Sequence, residues 1–370
     1  MSNRNTQTIF SVFLASLLCF VGTSRAEETR SKDLIKLGAI VSLTGDASEN
    51  GKNWMEGAQL AIDELRQSGQ QVELIVEDDR TIPGSVASAF IKLSTQDKVD
   101  GIIGGTWDFL AETAYPLAKQ YKVPFITPTN PVEILSVSAQ SNPWIFTNGL
   151  SLKAEQHAIE SFLAQKKAQN ISLVYINVPY GTSHAELLRK TAQEKGLKIV
   201  SDNEITYQGF HDGIKVAALK IKEAKPDFVF VVLNYEGVDF LLREFEKANL
   251  QPTVLMPHTL KEAYDFGASP SRYTNAYGIY SKFTGADFEA AFKKKYGRPA
   301  YDYAAAGYDA VKFMAELVKT KPTGSDGNKI LVYDGVTGRH ELPSADRSVV
   351  KSEASIMKMD GVELVAIPMQ

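Results

Sequence analysis

One acidic run, five histidines and an aspartate beside a tryptophan are the residues here with chemistry to offer. Glu77, Asp78 and Asp79 end the stretch "VELIVEDD" just before "RTIPG". Acids in that position commonly serve turns and caps rather than catalysis. His157, His184, His211, His258 and His340 show no H-x-x-x-H pairing and no cysteine partner, so no metal site is expected. No G-x-G-x-x-G follows a strand, and neither a phosphate-binding loop nor a G-x-S-x-G elbow occurs. Catalytic residues, cofactors and metals are therefore not expected. The remaining candidate is "GGTWDFLAET", Gly104 to Thr113, which reads as a strand end, a glycine turn and a helix start. A helix N-terminus attracts an anion, yet this one supplies its own, Asp108. As the N-cap of "FLAETAYPLAKQ", its carboxylate would bond first-turn N–H groups and still present an outer oxygen. Trp107 beside it suits either the core or a cleft wall.

The elements around this turn alternate. "IKLGAIVSL", "QQVELIVEDD", "VDGIIGG" and "VPFITP" are short strands of buried type. Between them, "GKNWMEGAQLAIDEL" places Trp54, Ala58, Ala61, Ile62 and Leu65 at helical spacing, and "PGSVASAFIKLST" and "DFLAETAYPLAKQY" also read as helices. The rhythm repeats from "SLKAEQHAIESFLAQ" through "NISLVYIN", "PDFVFVVL" and "PTVLMP". Such alternation predicts an α/β protein of two doubly wound parallel-sheet lobes, each offering a ligand edge at the carboxyl ends of its strands.

The amino-terminal residues predict export. Ile9 to Gly22 form an apolar run of signal-peptide length, shorter than the ~20 residues a membrane span needs. Ser24 and Ala26 are the small residues that cleavage requires, so residues 1–26 are expected to be removed. Cys19 lacks a small residue before it, which disfavours lipidation; it is also the sole cysteine, leaving the mature chain to its core alone. The remaining ~340 residues suit two domains. Composition is ordinary for a globular protein, 44% hydrophobic and 23% charged. The formal charge of −4 falls to −6 without Arg4 and Arg25, which disfavours nucleic acid as a partner.

In order and spacing, the stretches "IKLGAIVSLTGDASENGKNWMEGAQLAIDELRQSG", "LIVEDDRTIPGSVASAFIKLSTQDKVDGIIGG", "YPLAKQYKVPFITPTNP", "VPYGTSHAELLRKTAQEKGLKIV", "DFVFVVLNYEGVDFLLREFEKANL" and "KKKYGRPAYDYAAAGYDAVKFMAELV" resemble a known family. It is the type I periplasmic solute-binding proteins of the branched-chain amino acid group, which serve ABC importers. The resemblance implies two lobes joined by three hinge crossings, near residues 146–151, 274–280 and 334–343. Lobe I would comprise residues 34–148 and 277–336, and lobe II residues 150–275 and 341–370. It further implies a monomer in the periplasm that captures a small molecule and delivers it to an inner-membrane ABC permease. A ligand sensor docking on a membrane receptor is the alternative, and an exported α/β hydrolase the remote one.

Carried over by position, the family's ligand contacts fall on Asn50, Trp107, Asp108, Thr129, Asn130, Tyr180, Asn234 and His258, with Tyr235 adjacent. Three anchors differ from the usual pattern. Asp108 and Pro131 stand where hydroxyls are customary, and His258 stands where an acid normally grips the ligand's amino group. An ionised Asp108 in the cleft suits a cation, an amide or a hydroxyl-bearing ligand better than a carboxylate. His258 implies binding that depends on pH between about 5 and 8.

Overall fold

A computed structural model describes residues 34–129, 142–282, 286–320, 331–342, 350–351 and 353–368. The expected signal peptide, Asn130 and Pro131 lie outside the described residues. Five parallel strands form the first sheet: β1 (Ile35–Val41), β2 (Val72–Asp78), β3 (Gly101–Gly104), β4 (Phe125–Thr127) and β5 (Ile145–Thr147), in the order β2-β1-β3-β4-β5. That order reverses direction between β1 and β3. The crevice outside the carboxyl ends of these two strands is thus the expected ligand edge, and the turn after β3 is "GGTWD" itself.

Helices cover both faces of this sheet. On one side α1 (Ser48–Gln67) packs with α9 (Ala286–Tyr296) and α10 (Asp302–Thr320), burying Trp54, Phe292, Phe313 and Leu37. On the other, α2 (Pro83–Thr95) and α3 (Asp108–Tyr121) close over Phe90, Ile102 and Phe125. The contact between α1 and α10 depends on two glycines. A Cβ at Gly57 would sit 1.8 Å from the Ala304 carbonyl oxygen, and one at Gly307 would sit 2.1 Å from that of Trp54. Gly57→Ala and Gly307→Ala should each force the helices apart and cost roughly 1–3 kcal/mol by overpacking. Urea unfolding measures this, and an unchanged midpoint would show that the helices separate freely.

The second sheet repeats the plan. Its parallel strands are β6 (Asn170–Ile176), β7 (Lys198–Ile205), β8 (Phe228–Val232), β9 (Thr253–Pro257) and β10 (Ala276–Ser281). Two antiparallel strands, β14 (Ala354–Asp360) and β15 (Glu363–Ala366), extend it to β15-β14-β10-β9-β8-β6-β7. Around it lie α4 (Leu152–Lys166), α5 (Pro179–Lys195), α6 (Phe210–Ala224), α7 (Tyr235–Lys247) and α8 (Leu260–Gly267). Here the reversal falls between β6 and β8.

Two expected crossings are corrected by the strand pairing. Tyr277 to Ser281 were expected in lobe I, but they pair with β9 and β14 inside the second sheet. Without β10, β9 would present an unpaired edge. The chain therefore leaves this lobe only after Ser281. Near residue 340, β11 (Leu331–Gly335) and β12 (Gly338–Leu342) form a hairpin that continues to β13 (Val350–Lys351). Glu341 pairs with Val332 in that hairpin rather than beginning the return to the second sheet. The return lies between β13 and β14.

Candidate functional site

The turn after β3 needs its glycines. Gly104 has φ +130°, and a Cβ there would meet the Ile40 carbonyl oxygen at 2.0 Å. This close approach lets Thr106 Oγ1 accept the Ser42 N–H at 3.0 Å, tying the ends of β1 and β3 together. Trp107 then caps α3 through its backbone, with no side-chain bond to the helix, and Asp108 is the first helical residue. Asp108 was expected as the N-cap with an outer oxygen open to the cleft, and the structure corrects this. Its Oδ1 accepts the Phe109 N–H at 2.9 Å, and its Oδ2 accepts the Tyr180 N–H at 2.8 Å from the start of α5 in the other lobe. Only 8% exposed, with burial raising its pKa above the usual carboxylate value, Asp108 fastens one lobe to the other.

Between the two switch points lies a chamber of about 130 Å³. Asn50, Trp107, Asp108, Thr129, Tyr180, Asn234 and His258 all line it. Trp107 Nε1–H donates to Asn50 Oδ1 at 3.1 Å, so these two residues act as one unit. Thr129 Oγ1 lies 3.0 Å from Thr127 Oγ1. Asn234 caps α7, its Oδ1 accepting the Gly237 N–H at 3.0 Å. The neighbouring Tyr235 also lines the chamber and reaches across the rim, its hydroxyl 3.5 Å from the Asp46 carbonyl oxygen.

His258 completes a row of rings, its centroid 5.7 Å from that of Tyr180 and 5.8 Å from that of Tyr303. Burial lowers its pKa to about 4. The expected titration of His258 between pH 5 and 8 is therefore corrected: the ring is neutral across that range. A second histidine, His184, is fully buried behind Tyr180. Its Nδ1 lies 2.7 Å from the Tyr180 carbonyl oxygen and its Nε2 lies 2.9 Å from Glu155 Oε2. Both neighbours accept, so an imidazolium satisfies both. Burial opposes that charge, but Glu155 outweighs it and holds the pKa above its ordinary value.

Among the lining groups that nothing in the sequence marked are Glu262, Asp302 and Asn148. Glu262 stands in the first turn of α8 and Asp302 opens α10. Acids are favoured at helix starts for the dipole alone, so neither stood out. Asp302 Oδ2 accepts the Ser281 N–H at 2.9 Å, where the chain leaves β10. Burial pushes the Glu262 pKa up to about 8, with repulsion from Asp302 adding to it, and the Asp302 pKa up to about 7. Unfolded, both return towards 4.5 and 3.8. The folded chain thus holds more protons between those values, and its stability falls as pH rises from about 4 to 8. Glu262→Gln should match the parent at pH 5 and melt about a few degrees higher at pH 9. Equal pH slopes in thermal unfolding would contradict this.

Two doubly wound lobes that meet carboxyl edge to carboxyl edge around a chamber lined from both sides define a two-lobed binding protein. The chain belongs to the periplasmic binding protein family, whose model matches residues 34–342. A leucine-, isoleucine-, valine-, threonine- and alanine-binding protein of Pseudomonas aeruginosa is 24% identical over 264 residues, 69% of this chain and 67% of that one. Among solved structures, the substrate-binding protein LivJ of Streptococcus pneumoniae, in complex with isoleucine, superposes with TM-score 0.78 at 22% identity. That match covers 90% of this chain and 98% of LivJ. A solute-binding protein of Rhodopseudomonas palustris in complex with 3,4-dihydroxybenzoic acid gives TM-score 0.75 at 22% identity, covering 91% and 96%. These likenesses carry the fold; the ligand is a separate question.

Proposed function

We propose that this chain is the solute-binding component of an ABC importer, which captures a small polar ligand between its lobes and passes it to an inner-membrane permease. The observation that carries this is the position of the chamber, at the switch points of both sheets at once, with Asp108 bridging the lobes above it. Such a site is made by closure and unmade by rotation about the crossings, as in hinge-closing receptors. Strand pairing supports a lobe I of residues 34–148, 286–342 and 350–351, and a lobe II of residues 150–281 and 354–368. No catalytic step enters this function, and a monomer suffices for it.

A thermal-shift screen over amino acids, amides, amines and aromatic acids tests the assignment, since a ligand that binds only the native state raises its stability. At least one member should stabilise the protein and compact it in small-angle scattering. Steady turnover of the stabilising compound would contradict the assignment. Export is part of the same proposal. The mature protein should begin at Glu27, which intact mass reads directly, and a lipid-bearing species that retains Cys19 would refute that cleavage.

A further inference from the structure

We propose that the chamber takes a small organic cation with N–H donors and no carboxylate, namely a primary ammonium, amidinium or guanidinium on an apolar body of about one ring. This rests on the chamber being the ligand cleft. Among the described residues, four carboxyl side chains line it, and neither lysine nor arginine does. Two of the four are answered within the protein, Asp108 by two backbone N–H groups and Glu155 by His184.

The other two are answered only in part, Asp302 through the Ser281 N–H on its Oδ2. Glu262 Oε2 and Asp302 Oδ1 are shut off from solvent and have no protein partner among the described residues. The same is true of Asn148 Oδ1, on a side chain only 2% exposed whose amide N–H is spent on the Ala306 carbonyl oxygen at 2.8 Å. A carboxylate and an amide oxygen are acceptors only, so their complement must donate. An ammonium or guanidinium brings several donors and the matching charge, while a carboxylate brings neither. The ring row Tyr180–His258–Tyr303, with its histidine neutral, provides faces that attract a cation.

Nearby cations do not fill this role. Lys261 bonds Asp265 and lies over the Tyr301 ring, and Arg298 bonds Glu56. The chamber, about 130 Å³, is of the same order as the cavity of about 150 Å³ that holds benzene, which limits the ligand's body to about one ring. Were both acids to keep their protons with the ligand bound, they would instead offer donors to a neutral amide.

Benzamidine, benzamide and benzoate separate these cases, since the three share one shape and differ in charge. Calorimetry on unfolded and refolded protein should find benzamidine bound at least about tenfold tighter than benzamide and about 100-fold tighter than benzoate. At pH 7 its binding enthalpy should vary with buffer ionisation, because the incoming cation expels protons from Glu262 and Asp302. Glu262→Gln and Asp302→Asn should each weaken benzamidine about tenfold or more and change benzamide far less. The wild-type series stands without the variants should either fail to fold. Benzoate binding as tightly as benzamidine, no benzamidine binding at millimolar concentration, or indifference of both variants would each overturn the cation class. Benzoate binding that closes the lobes would do so while sparing the cleft. Benzamidine binding that depends on both acids but closes nothing would spare the cation and refute the hinge.

Discussion

Leucine, isoleucine and valine should show no binding to the refolded protein tighter than about 1 mM by calorimetry. The helix start that would hold an α-carboxylate is already occupied. The Phe109 N–H and the Tyr180 N–H, one from each lobe, both donate to Asp108. Asp108 thus stands where a ligand carboxylate would, as a built-in anion bridging the same two lobes. A second carboxylate 4 Å away would be repelled by ~4 kcal/mol at an effective dielectric of 20, about a thousandfold in affinity. Micromolar binding of any of the three would show that other donors serve. Asp108→Ser should recover at least about tenfold of amino-acid binding, since it frees both N–H groups and lets the ligand's carboxylate bridge the lobes instead. No recovery would move the loss to the position of Pro131.

Asp108→Ala should weaken whichever ligand the screen identifies by about 10- to 100-fold, mostly through faster release. A hydrogen bond to a charged group contributes ~1.5–3 kcal/mol, and this one exists only when the lobes are together. Losing it shifts the population towards the open form, and apparent affinity falls with the closed fraction. Tyr235→Phe is the control. It removes a rim contact of 3.5 Å, at the limit of a hydrogen bond, and should change release by less than about twofold. Stopped-flow dissociation separates the two. Equal effects would mean that Asp108 is no latch.

The sheets were legible because period and order carry them. Short apolar strands between amphipathic helices leave little choice but doubly wound layers, and the glycine turn marked the edge where the chamber lies. The crossings were less legible. "AYGIYS" alternates like a strand, yet carried-over family boundaries placed a hinge there, and only pairing with β9 and β14 assigns it to the second sheet. Trp107 and Asn50 were each singled out, but a bond across 57 positions leaves no local trace. Glu262 and Asp302 stand in first helical turns, where an acid is ordinary. What brings them to one chamber is the meeting of the two lobes, which no window of sequence contains. His258 was given a titration because its type suggests one, whereas burial decides its charge.

If the two lobes close on a cation, the distance between them must shorten when one binds. Cys19 is the sole native cysteine and lies in the segment expected to be cleaved, so a labelled pair can be placed cleanly. Asp46 and Glu236 are exposed on opposite lobes at the rim. With both replaced by cysteine and spin-labelled, the refolded protein should give a long, broad distance distribution that benzamidine converts to a short, narrow one. Benzoate should leave it long. An unchanged distribution with saturating benzamidine, or the same shortening by benzoate, would show that the lobes do not close on a cation.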